Sequence, residues 1–488
     1  MSKRKKRKTT TAKTAATART TGSERGAFAA VERPTTRLGY DALSERGMAR
    51  PLVVSARTED KELSRRDRLA LSSSARELAR NFALFGFALR QHLCFVSNFR
   101  FACASGDRTL DEAVEREFGA WAREPERCHF SKRHDFWTLL RLIETHRVRD
   151  GDVGALRVDD GETQAIQLIE GDRIRDEDAP SATQELKHGV RIGRRGENLA
   201  YKIYRRTPEE NGYAFERWIS ARKMDLIGYF DAHDQVRGVS PLPSGVREYW
   251  HLYECFDLAL IKMKSEMTIG LIVNRDKSDD GFGTDAERAA RAENAFDPRA
   301  ASEKYGDGLM LFDLGLNEKA SVFHDGTPSQ NFQSFVESTT RLALAALDVP
   351  YSFYDGSSTN FYGSRGELNH YVERCKLKQR AFFPFLNKTT RWLLECWERD
   401  GRIPSGAASV PFRWTGAAVP LWLLVGDAKD WQVAISNGFA DQRTACELHG
   451  VDPRGTLRRT AEALDDARTN GVSLAYAPEY AGKTNIGI

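Results

Sequence analysis

The chain has 488 residues, long enough for two to four domains or one elongated multi-part subunit. With 41% hydrophobic and 29% charged residues it reads as soluble and globular, and no apolar run of about eighteen residues offers a membrane span. The 73 basic residues nearly cancel the 69 acidic ones, leaving a net charge of +4, so a sequence-wide nucleic-acid-binding surface is not indicated.

Charge is concentrated at the start, in Lys3-Arg4-Lys5-Lys6-Arg7-Lys8, followed by a Thr/Ala-rich run to Thr21. Such a stretch is too polar to fold alone, and a solubilising disordered arm over residues 1–40 is expected, with contact to nucleic acid or an acidic surface as the sharper option. No apolar segment follows Met1, so no secretory leader is expected. The first helix is expected from Ser64 to Leu89, with Leu69, Leu71, Leu78, Phe82 and Phe85 inward, Arg76, Glu77 and Arg80 toward solvent, and Gly86 closing its best part. A second runs from Asp107 to Arg123, stopped near Pro125, and a third from Phe136 to Thr145.

After Arg149-Asp150-Gly151-Asp152 the apolar period changes from helical to two. Ala155 to Val158 and Ala165 to Ile169 flank Asp160-Gly161, a hairpin turn that needs positive φ. A second hairpin places Val190 and Ile192 opposite Leu199, Tyr201 and Ile203 around Arg195-Gly196. Beyond Arg237-Gly238-Val239-Ser240-Pro241 a long helix is expected from Gly245 to Thr268, its stripe running Val246, Tyr249, Trp250, Tyr253, Phe256, Leu260, Met263, Met267. At about 1.5 Å per residue it would span roughly 36 Å.

Residues 274–306 read as an exposed insertion, followed by strand-like runs Leu309 to Phe312 and Ala320 to Phe323. A helix then starts near Ser329 and stops before Pro350, and a Ser/Gly/aromatic loop covers Tyr351 to Gly363. The chain turns helical again from Ser364 to Trp397 with a kink at Pro384. Two shorter helical patterns lie at Asp430 to Asn437 and Thr456 to Arg468.

Motifs that carry chemistry are weak. There is no G-x-S-x-G, H-E-x-x-H or Walker A sequence, and Gly281-Phe282-Gly283 lacks the third glycine of a dinucleotide loop. The seven cysteines include no C-x-x-C pair and read as reduced thiols. Asp276 to Glu287 carries oxygen ligands at calcium-loop spacing, but Gly283 stands where an aliphatic anchor would pack, so a solvated acidic loop is the plainer reading. Cys128-His129 with His134 reads as packing, and Asp150, Asp152, Asp159 and Asp160 read first as turn residues around a hairpin. We expect no catalytic residue, metal or cofactor.

Read in order, several segments resemble the lambda-like family of tailed-phage portal proteins. Arg76-Glu77-Leu78-Ala79-Arg80-Asn81 resembles that family's R-x-L-x-R-N helix. Arg149-Asp150-Gly151-Asp152 with Gln167-Leu168-Ile169-Glu170-Gly171-Asp172-Arg173-Ile174 resembles its "GD…LQLIE-x-DRI" region, the most specific match. Arg237 to Pro241 is similar to "RGVS-P", Leu347-Asp348-Val349-Pro350-Tyr351 to "LGIPYE", and Asn360 to Arg365 to "NYSSAR". Here Asp348 stands where a glycine is usual, and Tyr362-Gly363 replaces a serine pair. Asp427-Ala428-Lys429-Asp430, Asn437-Gly438 and His449-Gly450-Val451-Asp452-Pro453 resemble C-terminal motifs in weakened form.

The resemblance implies an α+β, portal-type subunit: an arm (1–40), a wing of helices then β-hairpins (41–240), a first stem helix (241–274), a clip (275–325), a second stem helix (326–350), a tunnel loop with a long kinked helix (351–400) and a helical C-terminal wing or crown part (401–488). It implies a homo-oligomeric ring, dodecameric by family, at the capsid portal vertex of a virion, assembled in host cytoplasm. Double-stranded DNA would pass through it, and terminase large subunit, head-tail adaptor and capsid or scaffold proteins would be its partners, with no membrane. In that arrangement Ser358, Thr359, Asn360, Phe361 and Tyr362 face DNA. Tyr249, Trp250, Tyr253 and Phe256 suit packing between subunits, although the same stripe is also the ordinary core face of a buried helix. The rival readings are another head-tail or minor capsid protein, and a metal-dependent hydrolase using Asp150 and Asp152.

Overall fold

The computed structural model describes residues 65–176, 186–208, 212–273, 310–313, 330–357, 359–416, 424–448 and 453–472. Helices and small sheets are mixed throughout. Helix α1 (Arg65–Asn81) and α2 (Ala83–Val96) replace the single expected helix, and Gly86 lies inside α2 rather than at an end. The break falls at Phe82, whose backbone is extended (φ −115°) while its ring is buried against Tyr253 at 5.5 Å. Core packing of one aromatic ring thus outweighs continued helical periodicity.

Strand β1 (Phe99–Cys103) leads to α3 (Arg108–Arg123), capped by Asp107, whose carboxylate accepts from the amides of Thr109 and Leu110. A single turn, α4 (Pro125–Cys128), precedes α5 (Phe136–Asp150), capped by Asp135 and ended by Gly151 at φ +91°. A Cβ at Gly151 would lie 2.4 Å from the Gly238 carbonyl oxygen, so both the conformation and the close approach demand glycine.

Strands β2 (Asp152–Asp159) and β3 (Gln164–Glu170) form the expected hairpin around Gly161. Strands β4 (Leu186–Lys187), β5 (Val190–Ile192), β6 (Asn198–Arg206) and β7 (Tyr213–Ser220) make a four-stranded antiparallel meander. Strand β8 (Met224–Gly228) returns to pair with β2, giving the order β3-β2-β8. Along β2, Val153 and Ala155 enter the helical core while Leu156 and Val158 enter a second core with Ile174, Val190, Ile203 and Met224. This strand therefore has both faces covered, the environment that favours an apolar run.

Helix α6 (Val246–Thr268) continues into β9 (Ile269–Val273), which pairs in parallel with β10 (Met310–Asp313). The insertion at 274–306, the calcium-like loop and the run 320–323 lie outside the described residues. Helix α7 (Gln330–Ala345) packs on α6, with the chain at Gly245 so close that a Cβ there would lie 2.6 Å from the Ala346 methyl. Helix α8 (Phe361–Gln379) and α9 (Phe383–Arg399) are joined by a 3₁₀ turn, Arg380–Phe382, just before Pro384, where the expected kink is realised.

Strand β11 (Phe412–Gly416) pairs antiparallel with β1, Trp414 opposite Phe101. Three helices follow: α10 (Leu424–Ser436), α11 (Gln442–Leu448) and α12 (Pro453–Thr469). The helical core is aromatic, with Phe118, Trp121, Phe136, Trp397 and Trp414 in mutual contact, Trp121 and Phe136 at 4.9 Å.

Candidate functional site

The long helix α6 divides into two halves. In the first, Tyr249 is 0% exposed and meets Phe85 edge-on at 5.1 Å, and Leu252 is buried beside it. Tyr253 packs on Phe82 and Trp250 stands edge-on to Tyr253 at 6.0 Å. Of the four aromatic residues expected between subunits, Tyr249 is thus placed inside the subunit's own core, because α1 and α2 already cover that face. Phe256 is 42% exposed.

From Phe256 onward the helix leaves the core. Leu258 is 65% exposed, Ile261 is 59% exposed, and Leu260 is exposed too, although successive positions point about 100° apart. The outer half of α6 is therefore apolar on several sides and uncovered within the described residues. On α7, Phe335 and Leu342 are exposed in the same way. Leu258 and Ile261 lie off the stripe that marked the helix in the sequence. Their signal was the failure of a polar face to appear.

The chain then turns back through Leu347, Asp348 and Val349. Asp348 takes φ +61°, the left-handed conformation that glycine would adopt most easily. Its carboxylate meets Arg374 at 2.8 Å and Lys378 at 2.8 Å, and these partners hold its pKa below the usual range although burial opposes them. Two ion pairs compensate the residue's departure from glycine.

The expected loop from Tyr351 to Gly363 is shorter than its sequence suggested. A 3₁₀ turn occupies Tyr351–Phe353, and α8 begins at Phe361, so Phe361 and Tyr362 belong to a helical first turn and not to the loop. Asn360 is the N-cap: its Oδ1 accepts from the Gly363 amide at 2.7 Å, a role that a polar residue before an apolar helix start supplies. Thr359 is half-buried, its hydroxyl accepting from Ser364 at 3.0 Å, and Tyr362 is 81% exposed. Ser358 lies outside the described residues. Between Asp355 and Tyr362 the sequence contains neither Lys nor Arg.

A third assembly was misread in the sequence. Asp152 is wholly buried and receives two hydrogen bonds from Arg237, Nε at 2.6 Å and Nη2 at 2.7 Å, plus one from the Gly238 amide at 2.9 Å. Arg237 also donates to the carbonyls of Gly171, Ile174 and His188. Asp150 accepts from Arg76 at 2.8 Å and Ser72 at 2.6 Å and contacts His146 at 2.7 Å. Burial raises its pKa, but those partners outweigh burial and hold it well below the usual carboxylate range.

Asp150 and Asp152 are thus anchors between α1, α5, β2 and the lead-in to α6, not turn residues, and neither is left to activate a water. Asp159 and Asp160 are turn residues as read, accepting from the amides of Gly161 and Thr163. Cys128 is buried and its thiol is pushed up to about 12 by burial, while His129 stacks on His134 at 5.3 Å. Among the described residues no group of His, Cys, Asp or Glu is arranged to hold a metal ion, and no helix is long and apolar enough to cross a membrane.

Comparison with known proteins gives one family. The model for phage portal protein, lambda family, matches residues 47–379. No curated protein matches the chain. Among solved structures, the chain is similar to one in the neck of an empty GTA particle computed with C6 symmetry, at 14% identity and TM-score 0.42, covering 84% of this chain and 97% of that one. It is similar to a chain of the virion of the native gene transfer agent particle at 14% identity and TM-score 0.42, covering 79% and 94%. It is also similar to one in the native GTA neck computed with C12 symmetry, at 15% and 0.43, covering 80% and 95%.

Proposed function

The chain belongs to the lambda family of phage portal proteins, and from that premise we propose that it assembles with copies of itself into a ring, a dodecamer by family, that conducts double-stranded DNA at one vertex of a phage head. The observation that carries this reading is the outer half of α6, where Phe256, Leu258, Leu260 and Ile261 are all exposed in the single subunit. A helix apolar on all sides is stable in water only when covered, and covering one such side chain stabilises by about 1.5–3 kcal/mol. A neighbouring copy on either side, each offering the same two helices, covers both faces at once.

In this reading residues 241–274 and 326–350 are the two stem helices, 41–240 the wing, 275–325 the clip and 401–488 the C-terminal wing or crown part. The clip meets the terminase large subunit during packaging and the head-tail adaptor afterwards, and the wing meets capsid or scaffold proteins in the virion. Residues 354–360, with Tyr362 on the first turn of α8, form the part turned toward DNA. Fixed cations there would add sequence-independent affinity for phosphate and slow movement, whereas Ser358, Thr359, Asn360 and Tyr362 offer weak, exchangeable contacts. We assign the subunit no chemical step; the motor that drives packaging is a separate protein.

Sedimentation velocity on the purified full chain tests the assembly. A discrete species many times the subunit mass is expected. A single monomeric boundary at all concentrations would contradict it.

A further inference from the structure

Beside the Asp152–Arg237 anchor lies an open cleft of about 420 Å³ lined by Arg76, Arg149, Glu170, Asp172, Arg206, Thr207, Gly212 and Tyr213. Its pairing is uneven. Arg206 is bound to Asp172 at 2.7 Å and to Glu170, and Tyr213 donates to Asp172 Oδ2 at 2.7 Å, so the two carboxylates that would repel an anion are largely matched. Arg76 is committed through Nε to Asp150, leaving Nη2 only at 3.6 Å from Glu170 and 3.8 Å from Asp172. Arg149 makes no hydrogen bond among the described residues, and its Nε is buried without a partner. The Thr207 hydroxyl and Asp172 Oδ1 are likewise buried and unpartnered.

Unpartnered buried polar atoms cost about 1–3 kcal/mol each, and here four converge on one opening. Three of the groups, Arg76, Arg149 and Thr207, offer N–H or O–H, and they come from α1, α5 and the end of β6. A tetrahedral oxyanion accepts from such separate directions, whereas a planar carboxylate is better served by one guanidinium fork. The fourth, Asp172 Oδ1, is an acceptor. It repels a fully ionised anion and welcomes one that retains a proton. Burial next to Arg76 and Arg80 also lowers the Arg149 pKa, the direction that an incoming anion would reverse.

We propose that this cleft is a binding site for inorganic hydrogen phosphate, held by Arg149, Arg76 and the Thr207 hydroxyl, with the phosphate O–H donating to Asp172 Oδ1. The site goes beyond the conduit role and does not depend on ring assembly. Selectivity follows from the proton. Sulfate has the same shape and charge but no O–H at neutral pH, so it leaves Asp172 facing an anionic oxygen.

Isothermal titration of the purified full chain with sodium phosphate and with sodium sulfate, at pH 7 and matched ionic strength, tests the proposal. Phosphate should bind saturably and sulfate far more weakly. Arg149→Gln removes a charged donor that no other side chain uses, so the fold should persist by circular dichroism while phosphate binding weakens about ten-fold or more. Thr207→Val should weaken phosphate less. Asp172→Asn replaces the acceptor by a group that can donate, and should collapse the preference of phosphate over sulfate even if overall stability falls. Equal binding of the two anions by the wild-type protein, unchanged phosphate binding in Arg149→Gln, or no saturable phosphate binding at all would each overturn the assignment.

Discussion

At the residue scale, the Asp152–Arg237 pair fixes how the chain passes from the β-rich part into α6. Both side chains are buried, so each charge depends on the other. Removing one partner of such a pair leaves an uncompensated buried charge and costs about 3–5 kcal/mol. Asp152→Ala should lower the chemical-denaturation midpoint accordingly, and an unchanged midpoint would show that the carboxylate is not ionised there. The sequence presented Arg149 to Asp152 and Arg237 to Ser240 as separate short motifs, and it could not show that they meet, because the contact spans 85 positions.

His92 carries a second residue-scale consequence. Its Nε2 lies 2.7 Å from Glu144, which also accepts from Tyr229 and pairs with Arg147, while Lys378 faces the cluster from α8. Burial lowers the His92 pKa, outweighing the Glu144 carboxylate that raises it. Nδ1 has no hydrogen-bond partner, so protonation would bury an N–H without an acceptor. Because the folded value is depressed, the contribution is complete above the unfolded value of about 6.5 and is lost as pH falls below it. Stability measured by urea unfolding should therefore drop between pH 7.5 and pH 5.5 more steeply in the wild-type protein than in His92→Gln; parallel slopes would count against a neutral buried imidazole.

At the element scale, α6 and α7 were legible from apolar spacing, and α6 was placed to within one residue of its observed start. What spacing did not carry was the division of α6 into a half packed on α1 and α2 and a half left open, since both halves are apolar and only the position of neighbouring elements separates them. The double substitution Leu258→Lys with Ile261→Lys should keep the helix, because Lys is a good helix former, while charge at the uncovered face abolishes higher-order assembly in sedimentation. Persistence of the large species would place the subunit contact elsewhere. The start of α8 is a sharper local case: Asn360→Ala removes the cap at a cost of about 1 kcal/mol, so amides at 362–364 should exchange roughly five-fold faster.

At the scale of the whole molecule, the order of motifs identified the family while every individual motif was weak. The reason is physical. Gly151, Gly171, Asp152 and Arg237 occupy positions where another residue would collide or leave a charge bare, so their spacing survives when the surrounding helices vary. The pairing of β1 with β11, more than 300 positions apart, left no comparable mark, because five-residue strands edged by aromatic residues look like many other segments. The same holds for β7 and β8, whose alternation is interrupted by a register shift at Ile203/Tyr204 and by burial on both faces.

The central claim is that copies of this chain close into a ring around a channel. Negative-stain microscopy of the purified protein tests it most directly. Rings with a stain-filled central hole are the predicted result; isolated compact particles, or open filaments with no hole, would contradict it.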